Sequence, residues 1–325
     1  MSYNPPFEIN NRIISLVADI SELAGKATAS SQLDKNPQLR RKNRIKTIHG
    51  SLAIENNTLT VEQVTAVLNG KTVLAPPKDI EEVKNAFEIY ELLDTLNPCS
   101  EADLLKAHSV LMRKLVYGAG EYRTKPVGVI NSNTGEILHL GALPAVVPQL
   151  MTDLLSWLEE SDVHPLMKAC VFHYEFEVIH PFLDGNGRLG RLWHTLILSK
   201  WNPIFAYIPI ESIIYENQSE YYSVINKCNE KANSTEFIVL MLELIKKALS
   251  DIDLTCSNGT SRGQVDKLLE FCKIPRSRRE MQEFVGIEGR KAFNNNFLNP
   301  LLEQGKLQMT IPDKPNSRNQ KYISL

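Results

Sequence analysis

The sequence predicts a mainly α-helical protein. It has a helical core with one small β-hairpin, then a basic C-terminal module of short helices and a second hairpin. Three observations predict this. Apolar residues recur at helical spacing over most of the 325 residues. The stretch from Val127 to Leu140 is instead short, β-branched and turn-rich. Charge is also unevenly divided. Residues 260–325 carry twelve Lys/Arg against seven Asp/Glu, a net +5, and the remainder carries 24 against 31, a net −7. A basic tail on an acidic body suits two parts that meet different partners.

Ile13, Leu16, Val17, Ile20 and Leu23 form the first apolar face, and a polar, Ser-rich stretch at 28–37 breaks it. The next helix is expected from Arg40 to Glu55, with Ile45, Ile48 and Leu52 on one side and Asn56-Asn57 as its stop. Thr60 and Gln63 make a capping box ahead of Val64, Val67 and Leu68. Pro76-Pro77 reads as a loop. Helices follow at 79–95, 101–115, 144–159, 165–179, 186–199, 217–231 and 234–250, and Asn133-Thr-Gly135 closes the hairpin. Polar residues 252–263 read as a linker. Beyond it come short helices near 264–272, 277–285 and 289–303 and a β-wing at 306–323, the order of a winged helix-turn-helix. The expected domains are 1–100, an N-terminal helical region; 101–251, the core; 252–263, the linker; and 264–325, the winged helix.

Composition narrows the function. A hydrophobic fraction of 43% and a net charge of −2 describe an ordinary globular chain, with no overall attraction to nucleic acid or anionic lipid. The five cysteines lack any Cys-x-x-Cys spacing, so neither a zinc site nor a disulfide framework is expected. Met1-Ser-Tyr-Asn-Pro-Pro does not read as a signal peptide, and no apolar run reaches membrane-spanning length. A cytoplasmic location with reduced thiols and no membrane partner is the expectation.

Residues 180–191, His-Pro-Phe-Leu-Asp-Gly-Asn-Gly-Arg-Leu-Gly-Arg, carry the chemistry. Gly185 and Gly187 let backbone N–H groups approach an anion, and a helix starting near Asn186 adds its positive end. Arg188 and Arg191, three apart, can both grip phosphate oxygens. Asp184 is a hard oxygen ligand suited to Mg²⁺ bridging phosphates. His180, at the end of an apolar helix, is the side chain suited to general base work near neutral pH. Phe182 is expected to anchor the loop in the core.

His-Pro-Phe-x-Asp-Gly-Asn-Gly-Arg-x-x-Arg resembles the signature of the Fic family, whose members mostly transfer AMP from ATP to protein hydroxyls. Gly120-Glu-Tyr-Arg123 and Glu216-Asn-Gln-Ser-Glu-Tyr-Tyr222 agree with it, and the resemblance covers about 45–250. It implies a Fic-type helical core with a β-hairpin flap at 127–140 that holds a target segment by strand addition. It also implies that His180 takes the proton of a Ser, Thr or Tyr hydroxyl, which attacks the α-phosphate. Asp184 would then hold Mg²⁺, Asn186 and the loop N–H groups the α-phosphate, and Arg188 the β-phosphate. ATP and Mg²⁺ are the cofactors so implied.

Ser51-Leu-Ala-Ile-Glu55-Asn56 resembles the family's inhibitory pattern Ser/Thr-x-x-x-Glu-Gly/Asn. Glu55 ends a helix, where a carboxylate needs a cation nearby, and Arg191 is suitable. An Arg191 so occupied cannot hold the γ-phosphate. His173 and His194 are expected to pack or to support the site. His49, His108 and His139 show no partner pattern, and Trp193 and Trp201 suit core or interface positions. Tyr122 suits a nucleotide-pocket or a structural role equally. Arg290, Lys291, Lys314, Arg318 and Lys321 suit phosphate contacts on DNA. The expected function is a protein adenylyltransferase held off by Glu55. The expected partners are a target protein with a hydroxyl side chain (this chain included), DNA or protein at the C-terminal module, and a second copy in a homodimer. The alternatives left open are a transcriptional regulator with a nucleotide-sensing core, a different nucleotide donor, and AMP removal using Glu55.

Overall fold

Helices make up most of the chain in the computed structural model, which describes residues 3–30, 36–130, 137–257, 262–287, 289–313, 317 and 320–324. The order is α1 (Asn11–Ser30), α2 (Pro37–Ile54), α3 (Val61–Leu68), α4 (Pro77–Glu91), α5 (Glu101–Leu111), β1 (Gly128–Ile130), β2 (Ile137–Leu140), α6 (Val147–Glu160), α7 (Pro165–Ile179), α8 (Asn186–Trp201), α9 (Ile210–Glu216), α10 (Gln218–Lys231) and α11 (Thr235–Ser257). Then come α12 (Arg262–Phe271), β3 (Arg276–Ser277), α13 (Arg278–Phe284), α14 (Arg290–Phe293), a π turn at Asn294–Leu298, α15 (Asn299–Glu303), β4 (Leu307–Met309) and β5 (Lys321–Ser324). The chain divides into two units, Met1–Leu249 and Ser250–Leu325.

In the first unit α7 lies at the centre. Leu166, Met167, Cys170, Val171, Phe172, Phe176 and Ile179 are all buried, and so are His173, Tyr174 and Glu175. A helix with no solvent face belongs inside a bundle. Pro165 supplies the preset φ of the first turn, and the His164 ring accepts the Leu166 N–H at 3.2 Å. α8 packs along α7, and α2 packs on α9. The second contact depends on Gly50: a Cβ there would lie 2.7 Å from the backbone of Glu211 and Ser212. That close approach fixes the position of the helix that ends at Glu55.

The capping box at Thr60 and Gln63 is formed, with each partner bonding the other's backbone N–H. The hairpin expected at 127–140 is antiparallel β1–β2, with Gly128 opposite Leu140 and Val129 opposite His139. Its expected turn, Asn133-Thr-Gly135, lies outside the described residues. Two expectations need correction. The segment expected as a linker at 252–263 carries helix through Ser257 and again from Arg262, and the two units divide just before it, between Leu249 and Ser250. α9 was not expected at all, since Ile210-Glu-Ser-Ile-Ile-Tyr-Glu216 is too short for a periodicity to show.

The second unit has its own core of Leu268, Cys272, Met281, Phe293, Phe297 and Leu301 among others, closed by Leu307 and Tyr322. Its sheet is antiparallel in the order β3-β5-β4, with Arg276 opposite Tyr322 and Leu307 opposite Ser324. Ser277 and Glu280 form a capping box at the start of α13. Lys314 and Arg318 lie outside the described residues.

Candidate active site

The site is built where α7 stops and α8 starts. His180 ends α7 in the left-handed region, at φ 53°, a turn that swings the chain away from the helix axis. Arg123 holds that turn. It is buried, and its guanidinium donates to the carbonyls of His180, Ile179, Ala142 and Lys125. The base of the hairpin is tied to the same turn: Ala142 N–H donates to Ile179 C=O at 3.2 Å, and a Cβ on Gly141 would lie 3.1 Å from the His180 Cβ. β1 and β2 therefore rise directly from the histidine.

His180 Nδ1 lies 3.3 Å from the Glu177 carbonyl oxygen. A carbonyl only accepts, so this contact puts the proton on Nδ1 and the lone pair on Nε2, the form a general base requires. The side chain is 17% exposed.

The loop after it is clamped from inside. Asn186 accepts the Phe182 N–H and donates to the Phe182 C=O, both at 2.9 Å. Phe182 is fully buried and stacks on His108, ring centroids 3.7 Å apart. Gly120 N–H donates to His108 Nδ1 at 2.8 Å, so Nε2 carries the proton that goes to the Asp184 carbonyl at 2.9 Å. Burial pushes the His108 pKa down to about 4, so the ring is neutral near pH 7 and keeps that tautomer. Gly185 caps α8 at φ 87°, and a Cβ there would strike Met112 at 2.5 Å, so both conformation and space demand glycine.

Three ion pairs line the loop. Arg188 bonds Glu82 at 2.6 Å and Asp184 at 2.7 Å. Arg191, with a side chain 1% exposed, bonds Glu55 Oε1 at 2.7 Å, the Ser51 carbonyl at 2.9 Å and the Ser51 hydroxyl at 3.3 Å. Burial by itself pulls the guanidinium pKa down, but Glu55 beside it reverses this and the net shift is upward. Glu55 sits at the C-terminal cap of α2 and is 30% exposed. Gly187 makes room for it: a Cβ there would lie 2.3 Å from Glu55 Oε1.

A second carboxylate lies behind Arg191. Glu177 is 4.0 Å from His180 and 3.8 Å from His173, and burial, opposed by Arg191 and reinforced by Glu55, raises its pKa from 4.5 to about 7. The folded protein thus holds this proton to higher pH than the unfolded chain. The stability it lends is complete below pH 4.5 and is lost as pH rises through about 7. Glu177→Gln is expected to flatten the fall in Tm over that window and to raise stability at pH 8, by on the order of 2–3 kcal/mol. Thermal melts from pH 4 to 8 check this; parallel profiles for the variant and the unchanged protein would count against it.

Asp184 is 48% exposed, and its Oδ1 accepts from Gly185 N–H at 2.6 Å and from Arg188 at 2.7 Å. Among the described residues no group of three or more His, Cys, Asp or Glu could hold a metal. Magnesium commonly takes one or two carboxylates, with phosphate and water completing its shell. The donor set therefore fits an ion that arrives with a nucleotide.

Residues 98–198 match the profile of the Fic/DOC family, and residues 263–323 match that of the Filamentation induced by cAMP protein Fic-like, C-terminal domain. The chain is similar to the crystal structure of a Fic family protein from Desulfovibrio desulfuricans G20, with 44% identity, a TM-score of 0.76, and coverage of 99% of this chain and 98% of that one. The chain belongs to the Fic family. It is also 30% identical over 196 residues to Protein adenylyltransferase fic-1 of Caenorhabditis elegans, covering 56% of this chain and 36% of that protein. Protein adenylyltransferase Fic of Nematostella vectensis is 31% identical over 194 residues, covering 56% and 42%. The chain thus spans less than half the length of these curated relatives.

The structure places His180 at the end of α7, Asp184 in the loop and Asn186, Arg188 and Arg191 in the first turns of α8. Asn186 is 2% exposed and its amide bonds the loop's own backbone, so its place here is loop closure. Arg188 is held by two carboxylates. The sequence does not mark Glu82 and His108 as parts of the site: the bonds that tie them to the signature loop reach across 106 and 76 residues. His173 and His194 are buried; burial holds both pKa values down, that of His194 at about 4. Trp193 is core, its Nε1–H donating to the Pro98 carbonyl at 2.9 Å. Tyr122 lies 5.5 Å from the Phe182 ring and donates to Glu101 at 3.0 Å.

Proposed function

We propose that this Fic protein transfers AMP from ATP to hydroxyl side chains of target proteins and that Glu55, seated on Arg191, holds the activity low. The observation that carries the reading is the assembly of His180, Asp184, Arg188 and Arg191 around the N-terminus of α8, where loop N–H groups and the helix dipole favour an anion. The relatives named protein adenylyltransferase support it.

In this reading the phosphates lie along the start of α8. Nε2 of His180 takes the proton as a Ser, Thr or Tyr oxygen bonds to the α-phosphorus, and the bond to the bridging oxygen breaks to release pyrophosphate. Asp184 would hold magnesium, which offsets phosphate charge when bound. The protein's contribution is position and charge. Arg188 is turned from Glu82 and Asp184 toward phosphate oxygens, and Arg191 serves the γ-phosphate once Glu55 leaves. β1–β2 would hold the target segment by strand addition. Mass spectrometry of the Glu55→Gly protein incubated with ATP and magnesium, alone and in lysate, tests the reading. AMP on hydroxyl residues is expected, and its absence in both samples would refute it.

For residues 264–325 we read a winged helix that docks on duplex DNA. Three short helical segments with an antiparallel sheet support this, as do the basic residues Arg278, Arg279, Arg290 and Lys321 of this unit. Filter binding is expected to weaken steeply as salt rises from 50 to 200 mM; salt-insensitive or absent retention excludes DNA and leaves protein docking. A homodimer and a cytoplasmic location complete the reading. No helix among the described residues is long and apolar enough to cross a membrane.

A further inference from the structure

A second cationic pocket, apart from the signature loop, opens at the other end of the helix that carries Glu55. It is a cavity of about 390 Å³ between α2 and α4, lined by Arg40, Arg41 and Arg44 with Phe87, Tyr90 and Tyr207. Arg44 lies eleven residues before Glu55, about 16 Å along the helix axis. At the pocket's floor Arg44 is only 8% exposed, and its Nη1 is buried without a hydrogen-bond partner. Its guanidinium rests on the rings of Tyr90 and Tyr207, 5.1 and 5.7 Å from their centroids, and Arg40 stacks on Tyr207 at 5.3 Å. Among the described residues no carboxylate approaches Arg40, Arg41 or Arg44 within 4.0 Å; Arg41 bonds only Asn69 Oδ1 and, weakly, the Leu68 carbonyl.

A cation removed from water needs a counter-charge or a full set of acceptors, and ring faces supply only part of either. Elsewhere in this unit the protein meets that need: Arg188 and Arg191 each sit on a carboxylate, and Arg123 donates to four backbone carbonyls. Arg44 Nη1 has neither. We propose that this pocket binds a small phosphate-bearing molecule, with Arg40, Arg41 and Arg44 on its phosphate group. Residues 40, 41 and 44 share one side of the first turns of α2, and three forked donors match an ion that offers three oxygens. The cavity is larger than a bare ion and of the size that holds small ligands, so room remains for an organic portion against Phe87. Glu91 and Asp94, exposed at the mouth, would repel an extended polyanion and favour a compact ligand.

Calorimetry with inorganic phosphate and with glycerol phosphate tests the proposal on the full chain. The unchanged protein is expected to show a binding component that weakens at least tenfold in Arg40→Gln/Arg44→Gln and survives in Arg188→Gln. A double variant that binds both probes as the unchanged protein does would overturn the assignment, as would equal loss in Arg188→Gln. Circular dichroism checks folding. If the double variant does not fold, Arg40→Gln alone, on a half-buried side chain, is expected to weaken binding at least threefold, and an unchanged affinity refutes the proposal. A phosphoserine peptide that binds more tightly than glycerol phosphate would also refute it, by moving the site to a protein ligand.

Discussion

In a Glu55→Gly background, replacing His180 by alanine is expected to lower AMP transfer by about 10²- to 10⁴-fold, the usual contribution of a positioned general base. The background matters, because on the proposed restraint by Glu55 the unchanged protein has little activity to lose. The expectation rests on two features of the turn. The left-handed conformation at residue 180 and the Arg123 bonds to its carbonyl fix where the ring starts. The Glu177 carbonyl beside Nδ1 then selects the tautomer. Alanine removes the base and leaves the backbone bonds in place, so the fold and nucleotide binding should survive. Loss of nucleotide binding together with activity would show that His180 acts through structure instead. The measurement is initial rate at saturating ATP beside a separate titration of a non-hydrolysable analogue.

Glu55→Gly itself is expected to raise transfer about 10- to 100-fold. Two unit charges at roughly 4 Å attract by about 4 kcal/mol at an effective dielectric near 20, before desolvation. Glu55 keeps 30% of its surface in water, so only part of that survives as a net barrier to freeing Arg191. About 2 kcal/mol corresponds to roughly 30-fold. Glycine suits the position: residue 55 is a helix cap, and Asn56 after it is already left-handed at φ 65°. Glu55→Gln keeps a hydrogen-bond acceptor but loses the charge, and should fall between the two. If all three proteins show the same rate, Glu55 does not restrain the site.

How much of this was legible in the sequence follows from the range of each interaction. α7 was readable to the residue because a long apolar run lies between Pro165 and the His180-Pro181 stop, all of it local information. The start of α8 was readable for the same reason, since glycine and asparagine punctuate it. The Glu55–Arg191 pair joins residues 136 apart, and only the family resemblance offered it as an expectation. The Arg188–Glu82 pair had no such guide. Glu82 looks like any surface acid on an amphipathic helix until packing buries it to 4% exposure. His108 shows no partner pattern in the sequence, yet its ring nitrogens bond the backbone of Gly120, twelve residues on, and of Asp184, 76 residues on. Backbone partners leave no trace in side-chain identity. α11 runs to Ser257, past the expected end at 250, and no cap or breaker residue in the sequence marks the expected end.

The account stands or falls on which part of ATP reaches the protein. Glu55→Gly protein should be incubated with magnesium and ATP radiolabelled at the α-phosphate or, in parallel, at the γ-phosphate, each with and without His180→Ala. The expected result is α-label retained on protein, no γ-label, and neither when His180 is gone. Retained γ-label, or α-label that persists without the histidine, would contradict it.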